Sequence, residues 1–184
     1  MFYLMGLLPS FLIPMRINLG AKLVHIDRRI LGIDPGFVSA GYSVLVEEKG
    51  SFKILEIGVF KQSSALSITT RLGKFYTFFE DLAAQKQVTH LSLETPFLGK
   101  NAQNFLKLGY LRGVLNLLCY KKNYVLLEFS PREIKSAVTG YGHADKEQIA
   151  SALGMLFPVL KNYGKISLDA TDALAVSLCA GLNS

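Results

Sequence analysis

Four acidic residues, Asp34, Glu94, Asp169 and Asp172, stand where a chain of this kind could do metal chemistry. Asp34 closes the apolar run Ile30 to Ile33 and Glu94 closes Val88 to Leu93, so both are expected at strand ends, where open α/β sheets collect their ligands. Asp169 and Asp172 are three residues apart in a helical stretch, which puts both side chains on one face. A carboxylate reached through apolar backbone needs a cation or a donor, because an unpaired buried charge is costly. Taken singly, Asp34 before Pro35-Gly36 is a turn former, Glu94 a strand-end charge, and Asp169 with Asp172 a cap and first-turn anion pair. Taken together they suit hard divalent ions such as magnesium, which prefer oxygen ligands and keep waters that a phosphate can replace. Two such ions roughly 3.5 to 4 Å apart can activate water on one side of a phosphodiester and stabilise the leaving oxygen on the other. That chemistry needs no Ser or Cys nucleophile, and no nucleophile constellation is visible.

The elements that must hold these carboxylates read off the periodicity. Ile30 to Ile33, Gly41 to Glu47 and Phe52 to Phe60 form an antiparallel meander opened by the Asp34-Pro35-Gly36 turn. Ala65 to Gln87, with Leu72, Phe75, Phe79 and Leu82 at helical spacing, leads to the strand Val88 to Leu93, a β-to-α-to-β crossover. Asn101 to Lys122 is a second helix, with Phe105, Leu108, Leu115 and Leu118 on one side, followed by the strand Tyr124 to Phe129. Ser130, Pro131 and Glu133 spell a capped helix start. Helices at Asp145 to Phe157 and from about Ser167 to Ala180 complete the pattern. The expected fold is α/β, with a mixed five-stranded sheet and helices on both faces.

The 184 residues suffice for one core. Twenty Lys and Arg against fourteen Asp and Glu give a formal charge of +6, which favours a polyanionic partner without naming it. Cys119 and Cys179 lack partners at ligand spacing, which argues against a disulfide framework or zinc and for a reducing cytoplasmic setting. His25, His90 and His143 share no spacing and are assigned no chemistry. Residues 1–29 are read as an extension, accessory or upstream of the true start, with Met15 an alternative start; Pro9 and Pro14 interrupt their apolar run, and no opening basic segment marks a signal peptide. Residues 30–184 are read as the functional domain.

The motifs themselves resemble a known family. Ile30-Leu31-Gly32-Ile33-Asp34-Pro35-Gly36 with Gly41-Tyr42, then Glu94-Thr95-Pro96-Phe97 with Lys100-Asn101-Ala102, Leu106-Lys107-Leu108-Gly109 and Arg112-Gly113, resemble the RuvC crossover-junction endodeoxyribonucleases. So do Pro131-Arg132-Glu133-Ile134-Lys135 with Val138-Thr139-Gly140, Ala144-Asp145-Lys146, and Asp169-Ala170-Thr171-Asp172-Ala173-Leu174-Ala175. The resemblance covers Ile30 to Ala180.

It implies a ribonuclease H-like fold and a homodimer that resolves four-way Holliday junctions by paired symmetric nicks in DNA recombination and repair. It also implies Mg2+, with Mn2+ as substitute, at Asp34, Glu94, Asp169 and Asp172, and co-operation with the RuvA and RuvB branch-migration proteins. Lys135 and Lys146 match lysines near the scissile DNA, Phe97 an aromatic that stacks at the junction centre, and Lys100 a DNA contact. Gly109 and Gly113, four apart, leave a side-chain-free stripe that packs either on the chain's own sheet or, as in the family, against a second subunit. The rival functions are a YqgF-type ribonuclease H-like nuclease acting on RNA, an actin-like ATPase or sugar kinase, which needs a second domain, and a catalytically silent junction-binding module.

Overall fold

A computed structural model describes residues 27–96 and 102–183. The expectations for His25, Phe97, Lys100, the start of the second helix at Asn101, and the extension up to residue 26 fall outside the described residues. Five strands form one mixed sheet in the order β3-β2-β1-β4-β5. They are β1 (Arg28–Asp34), β2 (Ser39–Glu48), β3 (Ser51–Lys61), β4 (His90–Glu94) and β5 (Val125–Phe129). The first three form the antiparallel meander, while β4 and β5 run parallel to β1. This is the ribonuclease H-like arrangement expected from the sequence.

Alternation along the strands splits the apolar residues between two cores. Leu31, Ile33, Val44, Leu91 and Leu93 face α1 (Ile68–Gln85) and α2 (Ala102–Lys122), meeting Phe75, Phe79, Leu111, Leu115 and Leu118. The opposite face packs Leu45 and Ile54 with α3 (Pro131–Thr139), α4 (Lys146–Leu156) and α5 (Leu168–Leu182). A 3-10 turn at Pro158–Tyr163 fills the connection between α4 and α5.

Local signals explain the boundaries. Ser130 accepts from the Glu133 amide while Glu133 accepts from the Ser130 amide, and Pro131 opens α3, as its sequence predicted. Asp145 and Gln148 form a second such box at α4. Several edges differ from the periodicity, three of them for reasons the contacts show or by more than one residue. The first helix starts at Ile68 because Ser67 caps it. β4 starts at His90 because the Val88 amide is still bonded to Ala83 O at the helix exit. β2 starts two residues early, at Ser39.

α5 lies flush against the sheet. From Ala173 to Gly181 every residue is buried, which is possible because the strands beneath present small residues. A Cβ on Gly32 would stand 2.5 Å from Ala173 O, and one on Gly41 only 1.9 Å from Asp169 O. Ser43 and Ser92, the register partners of Gly32 on either side, are fully buried. Ser43 Oγ donates to Ala173 O at 3.0 Å and lies 2.6 Å from Ser177 Oγ, and Ser92 Oγ donates to Val176 O at 3.1 Å. The contact is thus close and polar-satisfied. By contrast, a Cβ on Gly109 or Gly113 would meet nothing within 4 Å, so that stripe does not pack on the chain's own sheet.

Gly41→Ala should therefore lower stability by about 1–3 kcal/mol, because backbone rather than a movable side chain opposes the new methyl. Gly73→Ala, where a Cβ meets nothing within 4 Å of the exposed face of α1, should raise it by about 0.5–1 kcal/mol. Urea midpoints of the two variants check both signs; a neutral Gly41→Ala would mean that α5 does not sit this close.

Candidate active site

Asp34 and Glu94 end neighbouring parallel strands, one residue beyond the paired Ile33 and Leu93. Both follow the alternation of Gly32 and Ser92 and so face α5. The Gly41 contact brings the first turn of α5 down beside Asp34, since Gly41 is the register partner of Asp34 and touches the Asp169 carbonyl. Ser167, not Asp169, caps that helix, accepting from the Ala170 amide, which leaves the Asp169 carboxylate to accept from Ser39 Oγ. Asp172, one turn on, accepts from Lys146 Nζ at 3.0 Å.

The turn after Asp34 is pinned from two sides. Gly36 admits the Ser39 carbonyl where a Cβ would stand 2.0 Å away. Gln62 Nε2 at 3.0 Å and the Arg71 guanidinium at 2.6 Å both donate to Phe37 O, and Arg71 also covers the Phe37 ring.

Glu94, Lys135, Lys146 and Asp172 line one cleft of about 290 Å³, with Pro131, Ile134 and Ile149 as its apolar wall. Asp34 and Asp169 are not in that wall, but their charges reach the same space. Burial first, then Asp172, Asp169 and Glu94, push the Asp34 carboxyl up to about 7, against the pull of Lys146. Burial and Asp172 likewise raise Glu94, opposed by Lys135 and Lys146. The hydrogen bond and charge of Asp172 in turn raise Lys146.

The expected four carboxylates thus share one neighbourhood. Among the described residues, however, no three His, Cys, Asp or Glu side chains close into a ligand cage, and Asp169 and Asp172 are held by Ser39 and Lys146. The donor set is all oxygen, with negative charge in excess of the two lysines, which fits a hard divalent cation and not a thiophilic one. Ser39, which has no sequence signal of its own, and Arg112, which stood only in a family motif with no role assigned and whose Nη1 donates to Glu94 O at 2.6 Å, support the site. His90 sits at the other end of β4, 2.8 Å from Thr89 Oγ1, away from this chemistry.

The sequence model of the crossover junction endodeoxyribonuclease RuvC family matches residues 30–180, which span all four carboxylates and both lysines. The chain belongs to the RuvC family. It is therefore a crossover junction endodeoxyribonuclease, a nuclease of DNA recombination and repair. The RuvC of Chlorobium phaeobacteroides is 42% identical over 151 residues, covering 82% of this chain and 79% of the relative. That of Caldicellulosiruptor saccharolyticus is 36% identical over 157 residues, covering 85% and 93%.

Among solved structures, Thermus thermophilus RuvC superposes with a TM-score of 0.73 at 26% identity over 82% of this chain and 92% of that one. T. thermophilus RuvC in complex with a Holliday junction substrate does so with 0.76 at 24%, over 84% and 93%, a match in fold. No helix among the described residues is long and apolar enough to cross a membrane.

The crowding of carboxylates has a thermodynamic signature. With the folded value of Asp34 near 7 and the ordinary one near 3.8, the folded protein keeps a proton that the unfolded chain has released. Stability should then fall as pH rises from about 4 to about 7. Asp34→Asn removes that cost. In chelator at pH 8 the variant should be more stable than the parent by roughly 1–3 kcal/mol, with the difference vanishing near pH 4. Thermal melts across that range decide it, and equal stability at pH 8 would show that Asp34 is not strained by its neighbours.

Proposed function

We propose that this Holliday junction resolvase makes its paired symmetric nicks as a magnesium-dependent homodimer in which Asp34, Glu94, Asp169 and Asp172 hold the metal. Manganese is expected to substitute. The observation that carries the metal reading is the crowding of carboxylates delivered by the ends of β1 and β4 and the first turn of α5, which raises Asp34 and Glu94. When bound, divalent ions would activate the attacking water and stabilise the leaving 3′ oxygen.

The chain's own groups do the rest. Lys135 and Lys146, which line the same cleft as Glu94, hold the phosphate and offset charge that develops on its oxygens. Lys146, now bonded to Asp172, would be free to bind a phosphate if Asp172 held a metal. Ile134 and Ile149 narrow the cleft and limit water. Phe97 and Lys100 are assigned to DNA contact on the family resemblance. So are the partners RuvA and RuvB. Residues 30–184 are taken as the nuclease unit, with 1–29 accessory or upstream of the true start; the family match begins at residue 30. Both cysteines are free and buried, in keeping with a cytoplasmic setting.

The outer face of α2 supports the dimer. Leu106, Tyr110, Leu117 and Tyr120 are exposed there, at spacings that align them with Gly109 and Gly113 along one stripe. An exposed apolar stripe of this kind marks an interaction surface. A four-way junction presents two symmetry-related strands, so two active sites about a two-fold axis answer to it.

Two tests follow. Glu94→Gln and Asp172→Asn should each lose at least about 100-fold in cleavage of a synthetic four-way junction in magnesium, while gel-shift affinity in chelator stays within a few-fold; an Asp172→Asn protein that nicks at the parental rate would remove Asp172 from the metal site. Gly113→Leu places a side chain in the stripe and should give monomers that bind junctions but no longer cut the two strands together. Sedimentation with a cruciform-plasmid assay reads this, and a dimeric, fully active variant would move the interface elsewhere.

A further inference from the structure

We infer that Arg112 is a positioning residue for the Glu94 carboxylate, holding the end of β4 so that a bound metal meets a fixed ligand; the inference rests on the metal reading above. Arg112 projects from α2 with its side chain only 12% exposed. Nη1 donates to the backbone carbonyl of Glu94 at 2.6 Å, and Nη2 pairs with Glu128 on the adjoining strand β5. On the other side of the same strand end, the Thr95 amide donates to Phe129 O at 2.8 Å. The peptide after Glu94 is therefore fixed from two directions at the point where β4 stops.

The last residue of a strand lacks the next pair of ladder bonds, so holding the peptide that follows it keeps its backbone in the extended form that aims the side chain. A guanidinium suits the task because its planar fork can bond a carbonyl and a carboxylate at once, whereas an ammonium offers a point charge. The clamp also reaches across the molecule: α2 packs against the face of the sheet opposite α5, so Arg112 connects the helix bearing the outward stripe to a carboxylate on the catalytic side.

Arg28 supplies a control. It makes the same kind of two-armed contact at the other end of the sheet, with Nε donating to Glu47 at 2.6 Å and Nη2 to Gly181 O at 3.1 Å, far along β1 from Asp34. Mn2+ binding to the full-length dimer, followed by electron paramagnetic resonance, measures the site without turnover. Arg112→Ala should weaken Mn2+ binding by about 10- to 100-fold, the range seen when a group supporting a metal ligand is removed. Arg112→Lys should recover only part of it, and Arg28→Ala should stay within twofold of the parent.

In junction cleavage, kcat of Arg112→Ala should fall while KM changes less than twofold. Unchanged Mn2+ binding in Arg112→Ala, beside weakened binding in Glu94→Gln, would overturn the role of Arg112 alone. So would an equal loss in Arg28→Ala, which would mark general loosening. Parental Mn2+ affinity in Glu94→Gln would overturn the metal reading and the clamp with it.

Discussion

The approach of α5 to the sheet is the constraint on which the active site depends. Two acidic residues come from strand ends and two from a helix, and they can meet only if that helix lies within a backbone's width of β1 and β2. Gly32 and Gly41 make the approach sterically possible. Ser43, Ser92 and Ser177 keep it from costing unpaired polar groups, because each buried hydroxyl bonds to a carbonyl of α5. A larger residue at Gly32 or Gly41 would push the helix off by about the width of a methyl group, enough to separate Asp169 from Ser39 and the acidic cluster from its own geometry.

What the helix brings together repels itself. Burial and three neighbouring carboxylates push Asp34 up to about 7, a conflict between folding and function of the kind expected where groups are placed for a ligand and not for the apo protein. Lys146 on Asp172 and Ser39 on Asp169 relieve part of it. Both contacts are made by side chains that a cation and a phosphate could displace, so binding substrate would exchange one set of compensations for another.

Much of this was legible in the sequence because it is local. The strand endings at Asp34 and Glu94 follow from apolar runs, the three-residue spacing fixes Asp169 and Asp172 on one face, and the Ser130-Pro131-Glu133 cap forms as its residue types dictate. Lys135 and Lys146 were found only through resemblance, since nothing in a lysine's neighbours along the chain sets it apart from a solvated one. Ser39 and the role of Arg112 were missed for a different reason. Their partners lie 130 and 18 residues away, and Ser39 precedes the strand start that periodicity suggested. The Gly109 and Gly113 spacing was ambiguous between two packing partners; the open space above both residues excludes the chain's own sheet.

The division of the apolar interior into two cores gives the chain unequal freedom to change. The layer between the sheet and α1 holds the aromatic cluster of Tyr42, Phe60, Phe75, Phe78 and Phe79, whose side chains touch no acidic residue of the site. Sequence drift there can be absorbed by repacking of one hydrophobic shape into another. The layer beneath α5 has no such slack, because its fit is backbone against backbone and a single added carbon has nowhere to go. Divergence within this lineage should therefore accumulate asymmetrically, with the aromatic layer under α1 free to be rewritten and the layer beneath α5 held nearly still.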